Sequence, residues 1–139
     1  MLLNGMYSNN SMDTSGKNFW SNFENDTLLN YSDYKVTVTP SGLNTLKLKL
    51  YYEDSVVRIL MLGGKYKNGY FITEREWITQ PLAGPFMWFL NNNIRYIGLD
   101  KNNNLVVLNS GRKLLVMVML LPIASTKVQY ENKYKRIKK

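Results

Sequence analysis

The chain has 139 residues, a length at which one domain with an ordinary hydrophobic core is expected. It contains no Cys and no His, which excludes disulfides, thiolate chemistry and the histidine-dependent triads and zinc sites. A hydrophobic content of 45% with a net charge of +8 is typical of a folded, basic domain and not of a disordered chain.

The first residues are polar and lack an apolar period. Residues 1–18 are rich in Asn, Ser, Gly and Asp, which predicts a flexible N-terminal arm ahead of a single β domain over residues 19–139. The start, Leu2-Leu3-Asn4-Gly5, is similar to the end of a lipoprotein signal, with Met6 at the position of the lipidated Cys. As the chain stands, we therefore expect no lipid to be attached there.

An aromatic group follows the arm. The spacing of Trp20, Phe23, Leu28 and Tyr31 predicts a short helix or 3₁₀ turn within residues 19–31. We expect this element to cover one end of the core.

From Tyr34 onward the apolar residues recur with period two, as in half-buried antiparallel strands. Residues 34–39 and 45–52 alternate apolar side chains with lysine and threonine. Residues 56–62 are apolar on both faces except for Arg58, so we expect this strand to be covered on both sides. Asn-Gly at positions 68 and 69 then predicts a type I′ hairpin turn, because this dipeptide tolerates positive φ at both positions.

The pattern changes over residues 78–90. Pro81 and Pro85 lack the backbone N–H that a ladder needs, so this segment is expected to leave the sheet. A run of five apolar residues, 86–90, follows, and the asparagines at 91–93 are expected to end it. Further strands are predicted at 94–100, 105–108, 114–121 and 128–134, with turns at 101–104, 110–112 and 122–125.

Short reversals between about eight strands predict an all-β, antiparallel up-and-down meander. Closing a meander into a barrel removes its exposed edges, and eight strands can enclose one small ligand. We therefore predict a lipocalin-like barrel or half-barrel with a short N-terminal helix. A flat open sheet with a helix packed across it is the alternative.

Four stretches also carry a resemblance: Gly69-Tyr70-Phe71, residues 94–100, residues 104–107 and the ending 134–137. Over roughly residues 34–139 they resemble small, uncharacterised envelope lipoproteins of Gram-negative bacteria with a lipocalin-like meander. The resemblance implies a non-catalytic β fold located at the cell envelope and facing the periplasm. It supplies no catalytic residue to transfer.

The apolar run after the Pro/Gly loop is the main candidate site. Full burial of one large apolar side chain contributes roughly 1.5–3 kcal/mol, so the run is either core or, if exposed, a binding surface. We place Trp77, Phe86, Trp88 and Phe89 near the barrel mouth, where they would bind an apolar small molecule or an envelope protein. We expect no cofactor, no metal site, no nucleic-acid partner and only peripheral contact with a membrane.

The end of the chain is basic, with six Lys and Arg residues against Glu131 over residues 127–139. The favoured interpretation is a solvated edge strand whose lysines block the addition of another strand. The alternative is an electrostatic binder of nucleic acid or an acidic polymer. Its basic surface would consist of Lys133, Lys135, Arg136, Lys138 and Lys139.

Two patterns of acidic residues have the residue types of a catalytic site or a metal site. Glu74 and Glu76 would lie ~6.6–6.8 Å apart along one strand face, a spacing compatible with a glycoside hydrolase pair. Many exposed strands share this spacing, so a solvated outer face is favoured and we predict that the protein is not an enzyme. Residues 100–104 place oxygen ligands in a turn that could hold Ca²⁺, but a plain Asn-rich reversal is favoured.

Overall fold

A computed structural model describes residues 3–13, 16–24, 34–74, 76–83, 87–117 and 122–137, with the backbone alone at 76–83, 87–91, 112–117 and 122–130. Within these residues the regular structure is nine strands and one 3₁₀ turn, Trp20–Asn22. No helix in the described part is long and apolar enough to cross a membrane. The strands are β1 (Gly5–Ser11), β2 (Tyr34–Pro40), β3 (Thr45–Tyr52), β4 (Ser55–Lys67), β5 (Tyr70–Thr73), β6 (Glu76–Ala83), β7 (Met87–Leu99), β8 (Leu105–Met117) and β9 (Pro122–Ile137).

The strands form one antiparallel sheet that closes on itself. Its order is β5-β4-β3-β2-β1-β9-β8-β7-β6, and an additional pairing joins β5 to β7. Because β5 and β6 pair one after the other with β7, they share one position in the wall, which gives a barrel of eight positions. The predicted all-β, up-and-down barrel is confirmed. Of the short helix or 3₁₀ turn predicted within residues 19–31, the described part is the 3₁₀ turn Trp20–Asn22, and residues 25–31 lie outside the described residues.

Two predicted turns are confirmed. Asn68 and Gly69 have φ angles of 52° and 82°, the positive values that a type I′ turn requires. Between β7 and β8, Asn103 has a φ of 61°. Asp100 closes that turn, since its Oδ1 atom accepts the backbone N–H groups of Asn102 at 2.8 Å and Asn104 at 2.9 Å.

The Asp100 turn should respond to acid. Chiefly because the backbone N–H of Asn104 hydrogen-bonds the carboxylate, the pKa of Asp100 lies below its usual value of 3.8. The depressed pKa means that the resulting stabilisation is present above the unfolded-state pKa and is lost as pH falls through the folded-state pKa. Asp100→Asn keeps an acceptor oxygen but removes the charge. In urea unfolding from about pH 7 to about pH 2, the free-energy difference between wild type and Asp100→Asn should therefore shrink. A difference that does not vary with pH would contradict this origin.

Strand β1 lies within the residues predicted to form a flexible arm. It pairs with β2 on one side and β9 on the other, and Tyr7 and Asn9 are fully buried. The backbone carbonyl of Asn9 accepts the Phe19 N–H at 2.7 Å, and its side-chain Oδ1 accepts the Trp20 N–H at 2.9 Å. The prediction of a flexible arm is therefore wrong for Gly5–Ser11. The strand lacks an apolar period because the buried Asn9 hydrogen-bonds the backbone of Trp20 at a position where an apolar side chain would be expected.

The second half of the chain forms longer strands than predicted. The breaks expected at Pro81, at residues 91–93 and at residues 110–112 are wrong, since β6, β7 and β8 continue through them. Pro81 is tolerated because, within the described residues, β6 pairs on one side only, with β7. Gly111 is needed for close packing, because a Cβ there would clash with the backbone oxygen of Asn92.

Strand β4 is covered on its inner face only. Leu60 and Leu62 pack against the core, whereas Ile59 and Met61 on the outer face are exposed. The expectation that residues 56–62 are covered on both sides is therefore wrong for the described structure. The alternating exposure follows from the period of two, which sends successive side chains to opposite faces.

The core is the barrel interior, and the N-terminal segment fills part of it. Residues 16–24 connect to β1 and insert between the strands, with Phe19 and Trp20 fully buried. The Phe19 ring meets the Tyr134 ring edge-on at a centroid distance of 5.2 Å. We call residues 16–24 the plug. The largest fully buried side chains around it are Tyr7, Leu46, Leu48, Leu50, Phe71, Ile97, Leu105 and Tyr134.

Candidate ligand-binding site

The barrel wall opens where β5 ends. Strand β4 pairs with β5 from Lys67 back to Gly64, and the Glu74 N–H then donates to the Gly63 carbonyl at 3.1 Å. Beyond this bond, within the described residues, β4 pairs with β3 alone and β6 pairs with β7 alone. The wall is therefore open between β4 and β6.

A cavity of about 270 Å³ lies at this opening. One side is apolar and is formed by Leu60, Met61 and Leu62 of β4, with Phe23 of the plug beside them. The polar part of the lining is formed by Thr73, the exposed Glu74 and Arg95. The opening thus offers an apolar wall, a guanidinium and a carboxylate to the same small volume.

The position of Arg95 is fixed from two directions. Its backbone N–H donates to the Thr73 Oγ1 atom at 3.0 Å, which ties β7 to the end of β5. Its guanidinium carbon lies 5.3 Å from the centroid of the Phe23 ring, within the range of a cation–π interaction. Because Arg95 shares the inward face with Ile97, two residues later, its charge is held towards the interior and not the solvent.

A second arginine lies near the same opening. Arg58 approaches Glu24 with an N–O distance of 3.6 Å, and Glu24 also accepts the indole N–H of Trp20 at 2.9 Å. Both charged side chains are partly exposed, so the pair contributes at most about 1 kcal/mol to stability. Its structural consequence is that the end of the plug is held against β4.

A buried network around Asn22 fixes the plug. The Asn22 amide nitrogen donates to the Tyr134 hydroxyl at 2.8 Å and to the Phe19 carbonyl at 2.9 Å, while its oxygen accepts the Asn109 amide at 3.0 Å. The Tyr134 hydroxyl donates to the Lys17 carbonyl at 2.8 Å. Burial raises the pKa of Tyr134 far above its usual value, so the hydroxyl remains a proton donor at neutral pH.

A larger groove, about 460 Å³, lies on the outer face of the same junction. Its base includes Ile72 and Tyr96, which are cross-strand neighbours on β5 and β7, and Ile94. Lys65 and Lys67 of β4 line its side. Thr73 and Glu74 line both this groove and the cavity, so the two spaces adjoin at the end of β5.

The predicted mouth residues are only partly described. Phe86 lies outside the described residues, and Trp77, Trp88 and Phe89 lie in β6 and β7, where only the backbone is described. The backbone places Trp77 opposite Asn92 in the β6–β7 pair that borders the opening. Their part in binding stays a prediction.

The basic end of the chain differs from its favoured interpretation. Strand β9 pairs with β1 and β8, so it is not an edge strand and that interpretation is wrong. Lys133 and Lys135 are exposed, whereas Arg136 is half-buried and donates to the Asn4 carbonyl at 2.8 Å. The remaining two basic residues of the predicted surface, Lys138 and Lys139, lie outside the described residues. Polyanion binding by this surface stays a prediction.

The acidic pair does not form on one continuous strand. β5 ends at Thr73, and Glu74 is an exposed residue outside the ladder. Glu76 begins β6, where only the backbone is described. Among the described residues, no group of three acidic side chains comes together as a set of metal ligands.

The sequence did not single out the two arginines near the opening, of which Arg95 lines the cavity. Arg58 is the one charged residue in an otherwise apolar run, and Arg95 has the same phase as Ile97 in a strand rich in apolar residues. An arginine in an apolar run, or in phase with an apolar residue of the same strand, indicates a charge directed into a barrel. Using this signal requires the register and the position of the plug, which only the fold provides.

No protein-family model, curated protein or solved structure shows significant similarity to this chain. The resemblance to envelope lipoproteins, and the envelope location that it implies, stay predictions.

Proposed function

We propose that the protein is a non-enzymatic binding protein that holds a small amphipathic molecule at the opening of the barrel wall. The observation that supports this most is the lining of the cavity, which combines Phe23, Leu60 and Leu62 with the guanidinium of Arg95. Small-molecule sites are concave and mostly apolar, with a few polar groups that orient the ligand. The sequence left two possible occupants, an apolar small molecule and a docked partner protein. Of these we propose the small molecule, and we add that it carries a polar head group.

The plug supports this location within the barrel. Its Phe19 and Trp20 side chains are fully buried in one core cluster with residues of β1, β2, β3 and β9, so this part of the interior is packed with side chains. At the opening, the plug instead supplies a floor through Phe23. A floor held by the Asn22 network is ordered before the ligand arrives, which reduces the entropy lost on binding.

Arg95 indicates the charge of the ligand. A guanidinium stays protonated at any physiological pH and matches the geometry of a carboxylate. Leu60 and Leu62 would cover a short hydrocarbon chain while Arg95 binds an anionic head. The predicted class is therefore a short-chain amphipathic carboxylate.

Isothermal titration with octanoate and with octanol tests the proposal, because the two probes share an apolar chain and differ in the charged head. We expect octanoate to bind more tightly than octanol, and Arg95→Leu to weaken octanoate binding about tenfold or more while leaving octanol binding unchanged.

Arg136→Leu is the matched control, since it removes an arginine that hydrogen-bonds Asn4 away from the cavity. It should retain the preference for octanoate. The proposal is wrong if neither probe binds the folded protein, or if the two bind equally well and Arg95→Leu changes nothing.

A further inference from the structure

The outer face of β4 carries an uncovered apolar stripe. Val56, Val57, Ile59 and Met61 are 44%, 47%, 56% and 50% exposed. Ile59 and Met61 alternate on this face, and the register shift opposite Leu50 and Tyr51 makes Val57 an extra residue that is exposed beside Val56, so the four form a contiguous surface. Contiguous apolar surface of this kind marks an interaction site more often than isolated exposed residues do.

The backbone of the same strand is open on one side. From Ser55 to Leu62, β4 pairs with β3 and, within the described residues, with no other strand. A row of unpaired N–H and C=O groups is a template for an additional strand, and natural edges are usually blocked by lysine or proline. Here the stretch carries no lysine or proline, and its one charge, Arg58, is directed inward to Glu24.

The charges beside the stripe restrict what can cover it. Lys49 lies directly across from Ile59, and Lys47 lies directly across from Met61, both on β3. A second copy would bring two such lysine rows together, each on a chain with a net charge of +8. Like charges placed against each other in an interface are strongly unfavourable, so an acidic partner fits better.

The open edge also argues against a lipid surface. Insertion of the stripe into hydrocarbon would leave the backbone groups on the open side of residues 55–62 without hydrogen bonds, which a hydrocarbon environment does not tolerate. An extended polypeptide satisfies these groups, and its alternate side chains contact the stripe.

We propose that β4 binds an extended segment of an acidic partner protein as an added strand. The backbone of that segment pairs with residues 55–62, its apolar side chains cover Ile59 and Met61, and acidic groups of the partner face Lys47 and Lys49. This interaction goes beyond the ligand-binding function and does not require a bound ligand, but the two sites adjoin: the added strand would lie at the opening between β4 and β6, and Met61 also lines the cavity.

A synthetic probe tests the proposal: a peptide of about ten residues whose alternate positions, on the face of the stripe, are glutamate, three valines and glutamate and whose other positions are threonine, compared with the same peptide methylated on every second backbone nitrogen. The unmethylated peptide should bind and should slow hydrogen exchange at the amides of residues 56–62. Ile59→Lys combined with Met61→Lys should weaken binding at least about tenfold. Leu43→Lys, at an 88% exposed position in the β2–β3 turn, is the matched control and should bind as wild type does.

Three results would overturn it. Equal binding of the methylated peptide would show that no strand is added. Sedimentation that detects a dimer of the wild type but a monomer of the double variant would assign the stripe to a second copy. Binding to phosphatidylglycerol vesicles that the double variant abolishes, without peptide binding, would assign it to lipid. Octanoate titration of Ile59→Lys alone separates the two proposals, because Ile59 lies outside the lining of the ligand cavity, whereas Met61 belongs to it.

Discussion

Replacing Trp20 by alanine is expected to lower the free energy of unfolding by about 3–5 kcal/mol. Trp20 is fully buried in the plug, and the barrel strands that surround it are held by their own ladders, so they cannot collapse into the space that the indole leaves. The substitution also removes the indole N–H that Glu24 accepts. For a domain with a typical stability of about 5–15 kcal/mol, this is a large fraction of the total.

Urea unfolding followed by circular dichroism measures the effect. Leu43→Ala is the control, since Leu43 is exposed and its truncation should change stability by less than about 0.5 kcal/mol. A loss below about 1 kcal/mol for Trp20→Ala would mean that the plug does not contribute to the core as the fold indicates.

Replacing Asn22 by alanine should produce the second largest loss. The substitution removes the side-chain hydrogen bonds to the Phe19 carbonyl, the Tyr134 hydroxyl and the Asn109 amide, although the Phe19 carbonyl keeps the backbone N–H of residue 22. A hydrogen bond of this kind contributes about 0.5–1.5 kcal/mol, so a total loss of at least about 1.5 kcal/mol is expected for the three. Asn102→Ala, in the exposed β7–β8 turn, is the matched control and should be close to neutral.

A double-mutant cycle with Tyr134→Phe tests whether the network acts as a unit. Because Asn22 donates to the hydroxyl that Tyr134→Phe removes, the two losses should be non-additive by about 0.5–3 kcal/mol. Strict additivity would show that the two side chains stabilise the plug independently.

The strands with alternating leucine and lysine were predictable because one face of each strand must be buried and successive side chains alternate between the two faces. In β3, Leu46, Leu48 and Leu50 face the core while the intervening side chains face outward, so periodicity alone determines the register. The Asn68-Gly69 turn was predictable for a different reason: its backbone requires positive φ, which few residues adopt.

Strand β1 was not predictable from periodicity, because its buried positions include the polar Asn9. The side chain is favourable there only because the backbone of the plug lies opposite and donates to it. That partner belongs to another segment, so no local pattern reveals it. The continuity of β8 through Gly111 likewise depends on a close approach to Asn92 from another strand.

The ligand cavity was missed for a related reason. The sequence shows an arginine at position 95 but not which side of the sheet it faces or what lies beneath it. The face follows from the pairing of β7 with β5 and β8, and Phe23 comes from a segment distant in sequence. A group of aromatic residues beside a Pro/Gly loop can be recognised in the sequence, so a barrel mouth could be predicted there. The cavity is formed by residues that are distant in sequence, so it could not.

The pairing of β1 with β9 has a kinetic consequence. Met6 lies opposite Ile137, so the final seam of the barrel joins segments separated by nearly the whole chain. Contacts of such high sequence separation close late, because the entropy of a long loop is lost before the contact stabilises it. During synthesis, most of the polypeptide must therefore leave the ribosome before β9 can pair with β1 and complete the barrel. Until then, the aromatic side chains of residues 19 and 20 remain partly exposed to water.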